Sequence, residues 1–234
     1  MTIARSFNPF LLSLSLCLPN CSILVGMLRA VIFDIDGVLV DSREANVDLY
    51  QKLLTKAGYP APTREAILGR MHMPLWQSIE HLAGIEDQKE VERIWKMVDE
   101  PGVRDATLLE FPDTLLDTLE ALHNKYRLAV VTSRVRAGTD EVLNTGRIGH
   151  LFDFAISFED YKNPKPHPEP LLLALSRFGI TADEAIYIGD SDSDIVAARA
   201  AGMRSIHLSR TPHPDATAVA KEFHELLSAV DSLA

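Results

Sequence analysis

Residues 30–42 read Ala-Val-Ile-Phe-Asp-Ile-Asp-Gly-Val-Leu-Val-Asp-Ser. Four apolar residues in a row, without polar alternation, predict a short strand buried on both faces. The break after it is abrupt: Asp34 and Asp36 flank Ile35, and Gly37 follows. Arg127–Val131, Phe154–Ile156 and Ala185–Ile188 have the same look, and Ser205–Leu208 predicts a fifth strand. Helical faces lie between these runs, with Leu115, Leu116, Leu119 and Leu122 on one and Leu171, Leu172, Leu175 and Phe178 on another. Strand–helix alternation of this kind predicts an α/β fold, an open Rossmann-like parallel sheet with helices on both sides.

One interval breaks the rhythm. Between the first strand and Arg127 no strand pattern occurs, although a single crossover needs only about a dozen residues. Helical faces occur instead at Val47, Tyr50, Leu54 and Ala57 and at Val91, Ile94, Trp95 and Val98. The reading is an inserted helical cap over residues 43–107, interrupting a core of 27–42 and 108–234. Trp76 and Trp95 fall at helical spacing and are expected in the cap's own core.

Composition sets outer bounds. The chain has 234 residues, 47% hydrophobic and 24% charged, as a globular protein does. The 33 acidic residues outnumber 23 basic ones, for a net charge of −10. No basic stripe suits a nucleic acid, so the expected partner is a small molecule met by local cations. Cys17 and Cys21 are the only cysteines, which excludes a disulfide scaffold, a zinc ribbon and a C-x-x-C redox centre.

Both cysteines fall in residues 1–26, a segment with no acidic residue and one basic residue, Arg5. Its apolar run Phe10–Leu18 is about half the length of a spanning helix and looks like the core of a signal peptide. Pro19-Asn20-Cys21 then makes a poor cleavage or lipidation site. Three readings stay open: an upstream extension outside the fold, a targeting segment, or an ordered extra element. From Met27 onward the chain is free of cysteine, which suits a reducing cytoplasm.

Ligands of open parallel sheets bind beyond the carboxyl ends of the strands. Asp34-Ile-Asp36-Gly, Thr132-Ser133-Arg134, Lys165 between two prolines, and Gly189-Asp190-Ser-Asp-Ser-Asp194 occupy those places. Each alone reads equally well as a turn, a cap or a solvated loop charge. Together they place Asp34, Asp36 and Asp190 at one sheet edge, where mutual repulsion calls for a proton or a divalent cation. Oxygen ligands suit Mg²⁺. A hydroxyl at Thr132 and an ammonium at Lys165 supply donors to an anion, and a carboxylate free to attack completes a phosphoryl-transfer set.

Val31–Ser42, Val130–Ser133, Lys165-Pro-His-Pro and Ile188–Asp194 resemble the four motifs of the haloacid dehalogenase-like superfamily. The resemblance runs from Met27 to the C-terminus. Within it, Lys165–Gly202 resembles the branch of phosphoglycolate phosphatases, β-phosphoglucomutases and pyrophosphatases with a small helical cap. It implies Asp34 as nucleophile and Asp36 as general acid/base, its pKa raised by neighbouring carboxylates. Thr132 and Ser133 would hold the phosphoryl oxygens, and Lys165 would neutralise nucleophile and phosphate. Mg²⁺ would sit on Asp34, the Asp36 carbonyl and Asp190, with Asp194 orienting Lys165 or a metal-bound water. Arg70 in the cap is the candidate for a second anionic group on the substrate, with His72 a weaker one; His213 and His224 read as surface residues.

The expected activity is Mg²⁺-dependent hydrolysis of a small phosphate monoester, such as a phosphoglycolate or sugar phosphate, by a monomer or homodimer that engages neither nucleic acid nor membrane. The alternatives are an inorganic pyrophosphatase of the same branch and a phosphomutase. The 2-haloacid dehalogenases and phosphonatases of this superfamily lack an acid/base at the position of Asp36.

Overall fold

The computed structural model describes residues 27–71 and 73–234. The three readings of residues 1–26, and His72, lie outside the described residues. Six parallel strands form one sheet in the order β3-β2-β1-β4-β5-β6. They are β1 (Ala30–Phe33), β2 (Arg127–Val131), β3 (Phe154–Ile156), β4 (Ala185–Gly189), β5 (Arg204–Leu208) and β6 (Ala218–Ala220). β1 sits centrally, with Phe33 opposite Val130 on one side and Ile188 on the other. The period-2 geometry of a strand divides its side chains between two cores. Val31 and Phe33 join Leu119 and Leu122 of α5 (Leu115–His123) and Leu226 and Val230 of α9 (Leu226–Leu233). Ala30 and Ile32 face the other way, onto Leu171 and Leu175 of α7 (Glu169–Phe178) and Ala197 and Ala198 of α8 (Asp192–Ala200). Burial on both faces explains why these strands are continuously apolar.

The long interval after β1 holds four helices: α1 (Arg43–Lys56), α2 (Arg64–Leu68), α3 (Leu75–Ala83) and α4 (Gln88–Lys96). Their apolar stripes meet in a third cluster of their own, which includes Val47, Leu53, Leu54, Ile67, Ile79, Ile94 and Val103. Trp76 and Trp95 pack against that cluster. Trp95 also meets Phe158 of the sheet domain edge-on, with ring centroids 6.1 Å apart, so one aromatic contact spans cap and core. The remaining helix, α6 (Arg136–Thr145), follows β2. No described helix is long and apolar enough to cross a membrane.

Candidate active site

The strand ends β1, β2 and β4 lie side by side, so Asp34, Thr132 and Asp190 emerge at one edge. The loop after β3 brings in Lys165. These residues, with Asp36, Ser133, Ser191 and Ser193, line a cavity of about 210 Å³. Leu68 and Met71 close it from the cap side.

Lys165 is buried and uses its ammonium fully. Its Nζ lies 2.6 Å from Asp194 Oδ1, 2.9 Å from the Tyr187 hydroxyl and 3.1 Å from Asp34 Oδ2. Burial opposes the charge, but Asp194 and Asp34 together hold the ammonium well above its ordinary pKa. Asp194 is oriented by the first turn of α8. Ser191 caps that helix by accepting from the Asp194 N–H, while Asp194 Oδ2 accepts from the Ser191 N–H at 3.1 Å and its hydroxyl at 2.6 Å. Both Asp194 oxygens are thus occupied by donors. The carboxyl is held below its usual range against a large burial penalty, chiefly by Lys165.

Asp34 presents the opposite case. One oxygen faces Lys165, while Oδ1 is buried with no hydrogen-bond partner. Burial, helped by Asp194 and Asp36 and resisted by Lys165, pushes its pKa up to about 7. Asp190 is pushed up to about 8, again by burial first and then by Asp194 and Asp34. One oxygen from each of Asp34, Asp190 and Asp194 falls within a 4.8 Å span. An orphaned buried carboxylate oxygen in an all-oxygen cluster fits a hard divalent cation. Two glycines make room for it. Gly37 has φ +73°, and a Cβ there would lie 1.8 Å from Asp190 Oδ2; one at Gly189 would lie 2.3 Å from Asp194 Cβ. The carbonyl of Asp190 accepts from His207 Nε2 at 2.9 Å, which fixes that tautomer and leaves Nδ1 buried and unpaired.

Asp36 departs from expectation. Its carboxylate does not join the acidic trio; Asp194 takes that place. Arg134 grips it with a fork, Nε to Oδ2 at 2.8 Å and Nη2 to Oδ1 at 2.7 Å, and the Ser42 hydroxyl donates to Oδ1. The pKa is therefore lowered despite burial, where a raised value was expected. Burial pushes upward, but the bidentate Arg134 guanidinium, with Ser42 and Lys165, outweighs it.

Thr132 is buried, its Oγ1 accepting from the Arg134 N–H at 3.2 Å, and Ser133 borders the same cavity. Arg70 is not brought to the site: its Nη1 donates to the Ala66 carbonyl at 2.8 Å, and the cap residues at the cavity are Leu68 and Met71. His224 is exposed as expected. His213 is mostly buried, because its ring packs edge-on against His207 and its Nε2 lies 2.7 Å from Asp192. Tyr187 was not anticipated. A lone hydroxyl within the apolar run Ala-Ile-Tyr-Ile-Gly is the available signal, since a buried tyrosine oxygen needs partners. It accepts from Lys165 and shares its proton between the Val131 carbonyl and Asp194 Oδ1, both at 3.1 Å.

Comparison with known proteins places the chain in a family. Residues 31–208 match the family model described as haloacid dehalogenase-like hydrolase. The chain is 32% identical over 185 residues to pyrophosphatase PpaX of Bacillus velezensis, covering 78% of this chain and 83% of that protein. It is 32% identical over 207 residues to a phosphoglycolate phosphatase of Salmonella typhi, covering 78% and 81%. A subfamily IA hydrolase structure from Geobacter sulfurreducens superposes with a TM-score of 0.65 at 28% identity, over 88% of this chain and 97% of that one. With its sheet order, its four strand-end motifs and these relatives, the chain belongs to the haloacid dehalogenase-like hydrolase family.

Proposed function

We propose that this hydrolase is a Mg²⁺-dependent phosphatase of small phosphate monoesters that works through an aspartyl-phosphate on Asp34. The observation that carries the reading is the Asp34 carboxylate: buried, with one oxygen unpaired and the other on Lys165, lining a cavity of about 210 Å³ that has room for a phosphoryl group. The Asp34 carboxylate is the attacking group. Thr132 and Ser133 meet the phosphoryl oxygens, and Lys165 offsets charge on nucleophile and phosphate. Asp34, the Asp36 carbonyl and Asp190 would hold Mg²⁺, which when bound supplies positive charge beside the transferring group. Asp194 holds Lys165 in place.

Asp36 protonates the leaving oxygen and later draws the proton from the hydrolytic water. Arg134 keeps it ionised in the substrate-free site. An arriving phosphate dianion raises the carboxyl pKa and competes for the same guanidinium, so proton uptake by Asp36 accompanies substrate entry. The likeness to a pyrophosphatase supports a second reading at the same site, with inorganic pyrophosphate as the substrate.

The test is phosphate release from p-nitrophenyl phosphate, a panel of phosphorylated metabolites and pyrophosphate, with Mg²⁺ or with EDTA. Expected are Mg²⁺-dependent turnover of one or more monoesters and none by Asp34→Asn. Full activity of that variant refutes the mechanism, and turnover confined to pyrophosphate selects the second reading.

A further inference from the structure

Asp36 also borders a second, smaller cavity of about 80 Å³ on the side of Arg134. Its walls mix polar and apolar groups, with Leu49, Met73, Leu75 and Val98 of the helical insertion on the apolar part and Asn46 and Ser133 on the polar part. Two guanidinium groups enter it. Arg134 uses Nε and Nη2 on Asp36. Arg104, on the return from the insertion to the sheet, sends Nη2 to Asp99 at 2.9 Å and lies 3.8 Å from Glu141 through Nε. Arg104 Nη1 is buried with no hydrogen-bond partner. Both Nη1 atoms hang over Gly138: a Cβ there would lie 3.6 Å from that of Arg134 and 3.8 Å from that of Arg104.

We infer that Arg104, together with Arg134, forms a leaving-group subsite that selects phosphate esters carrying a carboxylate on a short carbon chain, with Arg104 as the specificity-determining residue. The inference rests on the phosphatase reading above and deepens it. A buried guanidinium N–H without a partner is costly unless a ligand supplies an acceptor. Two guanidinium groups side by side suit a planar carboxylate, and the apolar side chains on one part of the wall suit the methylene that carries it. The volume admits a few heavy atoms and no sugar ring. Asp36 stands between this cavity and the phosphoryl cavity, so an ester oxygen protonated by Asp36 directs its substituent here. The wider groove of about 730 Å³ on the other side of Asp36 repels an anion. There Asp41, Glu110, Asp113 and Glu222 outnumber Arg43 and Lys221, and Arg43 already pairs with Asp41 at 2.9 Å.

The experiment compares 2-phosphoglycolate with 2-hydroxyethyl phosphate, which has a hydroxymethyl group in place of the carboxylate. Binding of each is measured calorimetrically on the Asp34→Asn chain, with and without Arg104→Met. The expected result is at least tenfold weaker binding of 2-phosphoglycolate on losing Arg104, and less than threefold for 2-hydroxyethyl phosphate. Equal weakening of both, no change in either, or no binding of 2-phosphoglycolate overturns the inference. Tighter binding of pyrophosphate with the same Arg104 dependence overturns the carboxylate assignment. Arg104→Gln gives the same readout should Arg104→Met fail to fold. Hydrolysis by the wild-type chain reports separately. If neither ester is turned over, the phosphatase reading fails, while the binding measurement still decides the subsite.

Discussion

Lowering the pH from 8 to 6 should weaken Mg²⁺ binding by at least tenfold. Asp34 titrates at about 7 because it is buried among carboxylates. Its ionised fraction therefore falls from about 0.9 at pH 8 to about 0.1 at pH 6, a roughly tenfold loss of competent ligand. Asp190, pushed to about 8, falls from about half ionised at pH 8 to about 0.01 at pH 6 and acts in the same direction. Tenfold in affinity is about 1.4 kcal/mol, or about 3–6 °C in Tm for a chain of this size at saturating cation. The metal-free chain should run the other way. Folded Asp34 and Asp190 keep protons that the unfolded carboxyls surrender above about pH 4. Their contribution is full below that pH and is lost as pH rises through about 7 and 8. The assay is thermal unfolding with excess Mg²⁺ and with EDTA at both pH values. An Mg²⁺-induced shift that is equal at pH 6 and pH 8, or larger at pH 6, refutes the assignment of these two carboxylates as ligands.

Asp34→Asn should abolish turnover and yet raise the Tm in EDTA at pH 8, because it removes a carboxylate whose ionisation the fold opposes; a lower Tm there contradicts the repulsion argument. Tyr187→Phe removes one of the three acceptors around Lys165 and a donor to the Val131 carbonyl. A loss of about 1–3 kcal/mol in urea unfolding is expected, with kcat reduced more than KM is raised. Gly37→Ala would drive a methyl into Asp190 Oδ2 at a backbone φ of +73°; Mg²⁺ affinity from calorimetry should fall by more than tenfold, and an unchanged value argues against Asp190 as a ligand.

The strands and the strand-end residues were legible because both follow from local patterns. A strand buried on two faces must be apolar throughout, and a parallel sheet puts its chemistry where such runs end. β6 was missed because a three-residue run at the sheet edge, Ala218–Ala220, with two residues only half-buried, carries no such signature. What sequence does not encode locally is the pairing of charges. Asp34 and Asp36 sit two apart on the same segment, yet one faces Lys165 and the other Arg134. That outcome depends on where β2 delivers Arg134, about a hundred residues away in sequence. Arg104 was invisible for a similar reason. It belongs to the return strand of chain from the insertion, and only packing against Gly138 brings it beside Arg134.

Burial pushes all four carboxyl groups of the site upward, and the charges decide which of them stay high. Asp194 has Lys165 and Asp36 has Arg134, and both are held low. Asp34 shares Lys165 at the longer distance, Asp190 has no cation of its own in contact among the described residues, and both are pushed high. Two cations thus face four carboxyl groups, which leaves two negative charges when all are ionised. Protonation of Asp34 and Asp190 cancels them, and so does one divalent cation. The two solutions compete for the same oxygens. This competition would make metal binding release protons and tie the ionisation of Asp34 to the cation. On the proposed mechanism Asp34 attacks as a carboxylate, so below pH 7 loading a cation would also ionise the attacking group. Proton release measured on Mg²⁺ addition in weak buffer should approach one or more per chain near pH 7 and vanish above pH 9. Binding without proton release at pH 7 would separate the two events.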